Sequence, residues 1–219
     1  MTTQEHLTEK APKKRISPWI WVGLLALLLL LGGAVVYTLI NGRLPFTPYS
    51  YKGTLIQSPD LAPDFTLESS TGERVSLSDF RGKVILMYFG YTFCPDACPT
   101  TLAQLKKVAP ALGDDAGDVQ VLMVTVDPQR DTAEVLRQYL SFFDPSFIGL
   151  TGTEEEILAA ATPFGIYYNA HAGTPATGYL VDHTTSVLAV DKDGYLRLIY
   201  GFETPGEDIA ADVRELVRQ

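Results

Sequence analysis

The chain has 219 residues, of which 46% are hydrophobic and 20% charged, and its formal net charge is −9. Those proportions suit one globular domain with an added segment. Residues 44–219 carry 12 basic against 24 acidic side chains, which argues against nucleic acid as a partner, since phosphate contacts need Lys and Arg in excess. A soluble acidic surface explains the imbalance better than a dedicated docking face for a basic partner.

In chain order, the first feature is a stretch without charge from Ile16 to Gly42, centred on "WIWVGLLALLLLLGGAVVYTLI". As a helix, these roughly 22 residues span about 33 Å, enough for a hydrocarbon core of about 30 Å. Trp19 and Trp21 at one end and Tyr37 near the other suit the lipid interfaces. A cleaved signal peptide would have an apolar core of only about 7–15 residues ending in small side chains, and "LGGAVVYT" offers no good cleavage site. Lys10, Lys13, Lys14 and Arg15 crowd the N-terminal flank, whereas only Arg43 follows closely. The positive-inside rule therefore makes 1–15 a cytoplasmic tail and 16–40 a single transmembrane anchor, with the remainder outside the cytoplasm. The tail lacks the Arg-rich and Ser-rich character of a transit peptide, so a bacterial inner membrane with a periplasmic C-terminal domain is the expected location.

Residues 41–63, "NGRLPFTPYSYKGTLIQSPDLAP", are rich in Pro, Gly and polar side chains and read as a linker. The domain at 64–219 opens with two short extended pieces around the turn signal Ser69 to Gly72. "KVILMYFGY" is a continuous apolar run of strand length, as expected for a strand buried on both faces. Leu102, Leu105, Val108, Ala109 and Leu112 have helical spacing from about Pro99 onward. "VQVLMVTVD" predicts a second buried strand, and "DTAEVLRQYLSFF" a helix capped by Asp131 or Thr132. "SFIGLTG" and "TEEEILAAATPF" repeat the strand-then-helix order, and "NAHAGTPATG" reads as flexible. "SVLAVDKDGYLRLIY" predicts a hairpin about Asp191 to Gly194, and "GEDIAADVRELVR" a closing helix. This alternation gives an α/β domain with a mixed central sheet flanked by helices, in the element order of a thioredoxin-like fold.

The only two cysteines, Cys94 and Cys98, fall in "YFGYTFCPDACPTTL", just past the C-terminal end of the first long strand, where open α/β sheets gather their chemistry. Three chemistries are open to them. As a structural disulfide the pair would be weak, because closing so short a loop removes little unfolded-state entropy. As a redox pair, Cys98 beside Pro99 would gain from a helix N-terminus, with Asp96 and Asp182 opposing, so moderate activation is expected. As metal ligands, two thiolates and an imidazole suit Cu(I) and can accept Cu(II), while a closed zinc site would need a fourth ligand. His6 lies before the membrane segment, which leaves His171, in the flexible-looking stretch, and His183. His183 falls just ahead of the hairpin strand that should run beside the cysteine loop, near where oxidoreductases of this fold carry a cis-proline. No proline occurs between Pro175 and Pro205.

Taken together, "YFGYTFCPDACPTTL", "VTVDPQRDTAEVLRQY" and "YLVDHTTSVLAVDKDG" resemble the Sco/SenC family of copper-binding assembly factors for cytochrome c oxidase, over about Pro59 to the C-terminus. The resemblance implies a metallochaperone without catalytic residues, holding one copper per chain, as Cu(I) and also Cu(II), through Cys94, Cys98 and His183. Asp182 would orient the loop or the imidazole from behind the ligands. Asp127, Arg130 and Asp131 match the second motif, where a turn and helix cap explain them equally well. Ala97 departs from the β-branched residue common in the family. The implied partners are cytochrome c oxidase subunit II, whose dinuclear copper centre would be assembled, a thioredoxin-like reductant and another periplasmic copper chaperone. The alternative is a thiol-disulfide oxidoreductase, or a peroxiredoxin-like peroxidase, in which Cys94 and Cys98 form the redox-active pair.

Overall fold

In the computed structural model, residues 17–41, 48–174 and 178–219 are described, so the tail at 1–15, His6 and the first part of the expected linker, 42–47, lie outside them. Two compact units divide at Tyr49 and Ser50. The first holds one helix, α1 (Pro18–Asn41), whose apolar side chains face outward on every side. Pro18–Ile40 has a mean hydropathy of 2.5 and buries nothing within the chain. By length and composition it is a candidate membrane anchor.

The second unit is built in the order β1 (Thr54–Leu55), β2 (Thr66–Ser69), β3 (Arg74–Ser76), β4 (Val84–Gly90), α2 (Ala97–Leu105), α3 (Val108–Leu112), β5 (Val119–Thr125), α4 (Ala133–Ser141), β6 (Ile148–Thr151), α5 (Glu154–Ala161), β7 (Tyr168–Ala172), β8 (Tyr179–His183), β9 (Val187–Val190), β10 (Leu196–Tyr200) and α6 (Gly206–Val217). Among the described residues, eight strands form one mixed sheet in the order β1-β10-β9-β4-β5-β6-β2-β3, and β7 pairs only with β8. The parallel trio β4, β5 and β6 is central, with β9 antiparallel to β4 and β2 antiparallel to β6. Every residue of β4 is buried, as its unbroken apolar run requires. Helices α2, α3 and α6 pack on one another, α4 packs on β6 and α5 on β2, giving the thioredoxin-like arrangement expected.

Several local expectations are met for identifiable reasons. The β9–β10 turn places Gly194 at φ +86°, where a side chain would be strained. Helix α5 begins with a reciprocal capping box between Thr153 and Glu156. Two readings need correction. The single helix expected after Pro99 begins at Ala97 and breaks at Lys106 and Lys107. Pro110 explains the break, because it lacks an N–H and its ring would meet the carbonyl of Lys106. The stretch "NAHAGTPATG", of which 175–177 lie outside the described residues, also contributes to a strand, since Tyr168–Ala172 forms β7 against β8.

The second half of the presumed linker belongs to the folded unit. β1 pairs with β10, Leu61 bridges Tyr195, and Tyr51 packs against the core. The N–H groups of Lys52 and Gly53 donate to the fully buried carboxylate of Asp212 on α6 at 2.8–3.0 Å. Composition alone suggested a linker because a two-residue edge strand has no hydrophobic period to read.

Candidate metal centre

β4 ends at Gly90, and the chain leaves the sheet through Tyr91 to Pro95 before entering α2. Gly90 makes the close approach possible: a Cβ there would lie 2.7 Å from the Tyr88 ring and 2.8 Å from Cys98 Sγ. The loop folds back through the N–H of Cys94, which donates to the Tyr91 carbonyl at 3.3 Å. Both cysteines are free thiols, Cys94 half-buried and Cys98 fully buried in the first turn of α2.

The third group arrives from the other side of the sheet connection. β9 pairs with β4 so that Val187 faces Tyr88, and His183, the last residue of β8, lies four residues earlier. Its Nε2 is 3.4 Å from Cys98 Sγ, and its Nδ1 is 2.9 Å from the Thr184 carbonyl. A carbonyl only accepts, so Nδ1 carries a hydrogen, and Nε2 is the ring nitrogen turned toward the sulfurs. The imidazole meets the rings of Tyr88 and Tyr91 edge to face, with centroids at 6.0 and 5.8 Å. The ligand atoms of Cys94, Cys98 and His183 all lie within 4.8 Å of one another. Two soft sulfurs and one imidazole nitrogen, with no fourth ligand grouped with them among the described residues, form a donor set suited to copper rather than to a closed zinc site.

The two thiols are not equivalent, and the order differs from the sequence expectation of an activated Cys98. A hydrogen bond from the Cys98 thiol lowers the Cys94 pKa to about 3; burial opposes this, and His183 and the N–H groups of Cys98 and Asp96 add to it. Burial pushes the Cys98 thiol up, and the Tyr88 hydroxyl, 3.5 Å from Cys98 Sγ, is held protonated by burial as well. Cys94 is therefore the thiolate of the metal-free site. Its alkylation by iodoacetamide should change less than about twofold between pH 5 and pH 8, whereas an ordinary thiol of pKa about 8.5 would gain several hundredfold over that range. Mass spectrometry of the modified peptide checks this, and a steep rise for Cys94 would contradict the assignment.

Asp182 does not take the place expected for it. Adjacent strand residues point to opposite faces, so when His183 faces the cysteines Asp182 turns away. Its side chain is 74% exposed and pairs with His171 on β7, Oδ1 to Nε2 at 3.2 Å. His171 is thus brought to Asp182 and not to the cysteines. The second motif lies at the end of β5. Thr132 caps α4 by accepting from Val135 N–H at 3.3 Å, which leaves Asp131 free for another task. Fully buried, Asp131 accepts from Thr92 N at 3.0 Å, Thr92 Oγ1 at 2.5 Å and Thr125 Oγ1 at 2.7 Å, pinning the cysteine loop to β5. Burial pushes its carboxyl pKa up.

Tyr88, Tyr91 and Gly90 were not singled out from the sequence, because inside an apolar strand run they look like core. A glycine ending a buried strand just before a cysteine was the available signal.

Comparison with known proteins agrees with this geometry. Residues 53–218 match the SCO1/SenC family model. A SCO2-like protein of Rickettsia felis is 33% identical over 182 residues, covering 82% of this chain and 89% of that protein. The copper-bound structure of Bradyrhizobium japonicum ScoI superposes with a TM-score of 0.66 at 35% identity, covering 72% of this chain and 99% of ScoI. BsSco, described through a disulfide switch as a member of the Sco family of cytochrome c oxidase assembly proteins, superposes with a TM-score of 0.58 at 28% identity, covering 74% of this chain and 98% of BsSco. The chain, with its paired sulfurs and facing imidazole, belongs to the SCO1/SenC family.

Proposed function

We propose that this chain is a copper metallochaperone, anchored by α1, that binds one copper ion through Cys94, Cys98 and His183 and serves cytochrome c oxidase assembly. The observation that carries the reading is the meeting of two sulfurs and one imidazole nitrogen within 4.8 Å, in a family whose Bradyrhizobium member is known with copper bound. The specific target proposed is the dinuclear copper centre of subunit II. Three protein ligands leave the ion open on one side, so a target thiolate can bind before a ligand of this chain lets go. The N-terminus would face the cytoplasm and the domain the periplasm of a bacterial inner membrane, following the basic flank of α1.

Cys94 as a low-pKa thiolate beside a buried thiol supports a second task, thiol exchange with target cysteines. The tasks are linked, since a Cys94–Cys98 disulfide removes both sulfur ligands. Restoring them takes two electrons and two protons, supplied by a dithiol protein of the thioredoxin type; a further copper chaperone would load the reduced site.

The test is competition titration of Cu(I) into the reduced full-length chain in detergent. One copper should be held per chain, and His183→Ala should weaken binding by at least about 10-fold. Equal affinity in His183→Ala would overturn the three-ligand site. A parent that held no copper yet catalysed disulfide reduction would make thiol exchange the function.

A further inference from the structure

The ligands of the proposed site come from two bodies of structure that share no backbone ladder. Cys94 and Cys98 follow β4 in the central sheet, whereas His183 ends β8, which among the described residues pairs only with β7. The short connection from β8 to β9 brings His183 near the cysteine loop, and side chains of the second motif reach across to fix it there.

Arg130 donates through Nε to Asp127 Oδ2 and through Nη1 to the carbonyl of Tyr179 at 3.0 Å. Its guanidinium carbon lies 3.7 Å from the centroid of the Tyr179 ring and 5.0 Å from that of Phe93, the residue before Cys94. The Tyr179 hydroxyl donates to the other oxygen of Asp127 at 2.6 Å. Asp127 thus bridges both partners with its side chain only 3% exposed, and that of Arg130 is 24% exposed. Charge-assisted hydrogen bonds so shielded from water are short and directional. Residues 179, 181 and 183 alternate onto one face of β8. That face is held at its far end by Arg130 and Asp127 and midway by Val181 N–H, which donates to the Tyr91 hydroxyl at 3.2 Å.

We propose that Asp127, Arg130 and Tyr179 act as a clamp that positions His183 against the Cys94 and Cys98 sulfurs, a role that rests on the copper reading above for its function but not for its geometry. Arginine is required because one planar fork must stack on a ring and donate in two directions at once, which a lysine point charge cannot do.

Two readouts on the full-length chain in detergent test the clamp. In the metal-free protein, the ring-current shift of the His183 Cε1–H signal, seen with labelled histidine, should move in Arg130→Lys and in Tyr179→Phe as the imidazole leaves the edges of Tyr88 and Tyr91. An unmoved signal in both variants overturns the clamp, whatever copper does. In Cu(I) competition, Arg130→Lys should weaken binding about 10-fold, the low end for groups that orient a ligand. In a His183→Ala background the same substitution should change affinity less than about twofold, because the imidazole that the clamp positions is gone. Equal weakening in both backgrounds would make Arg130 a general stabiliser and overturn the proposal. If His183→Ala alone left copper affinity intact while the ring signal still moved in the variants, the clamp would stand and the three-ligand reading would fall. Should Arg130→Lys fail to fold, Tyr179→Phe, which deletes one hydroxyl, carries both measurements.

Discussion

Replacing Cys98 by serine is expected to lower copper affinity by more than about 100-fold while leaving the domain folded. Altering a group that merely orients a ligand already costs about 10–100-fold, so deleting a ligand should exceed it, and a protonated hydroxyl is a poor substitute for thiolate toward Cu(I). The fold should tolerate the change because serine is slightly smaller and its oxygen can still meet the Tyr88 hydroxyl and the Tyr91 N–H that now face the sulfur at 3.5 and 3.4 Å. A comparison with Cys98→Ala separates two roles of the residue. Serine keeps a donor toward Cys94, so Cys94 should stay reactive to iodoacetamide at pH 5. Alanine removes the donor that is the first cause of the lowered Cys94 pKa, and that reactivity should fall. Chelator competition and alkylation on the same samples check both, and a serine variant that retained copper like the parent would show that Cys98 is not a ligand.

The second large effect concerns stability. Asp131→Ala should destabilise the domain by about 3 kcal/mol, since the buried hydroxyl of Thr125 and the part-buried N–H and hydroxyl of Thr92 lose their acceptor. Each orphaned group costs about 1–3 kcal/mol, and relief from keeping a carboxylate buried returns part of the sum. In a domain of this size, that corresponds to a fall in Tm of about 6–12 °C. Thermal unfolding followed by circular dichroism measures it, and a loss under about 1 kcal/mol would contradict the anchoring role. Asp131→Asn should lie between, because one accepting oxygen remains.

What the chain's sequence made legible follows the strength of local signals. β4 could be read because seven apolar residues in succession have few alternatives, and the β9–β10 turn because Asp191 to Gly194 supplies its chemistry. Cys94, Cys98 and His183 were found together because their spacing matched a family and the hairpin strand was expected beside β4. β7 was missed because four of its five residues are exposed and the apolar positions of its short alternation, Tyr168, Ala170 and Ala172, include two small alanines that give little hydrophobic signal. The inequality of the thiols was missed for another reason. It depends on Tyr88, Gly90 and the depth of Cys98, which only the assembled sheet and helix determine. Asp182 could have been read better: period-two alternation along a strand already sends it away from whatever His183 faces.

The depth difference between the sulfurs also imposes a sequence of events on whatever passes through the site. Cys94 stands at the rim and Cys98 below it, sealed by Tyr88 and the backbone at Gly90. An arriving thiolate, oxidant or alkylating agent meets the outer sulfur first. If copper is held as proposed, its release would begin at Cys94, and the burial of one sulfur would double as a check on who may collect.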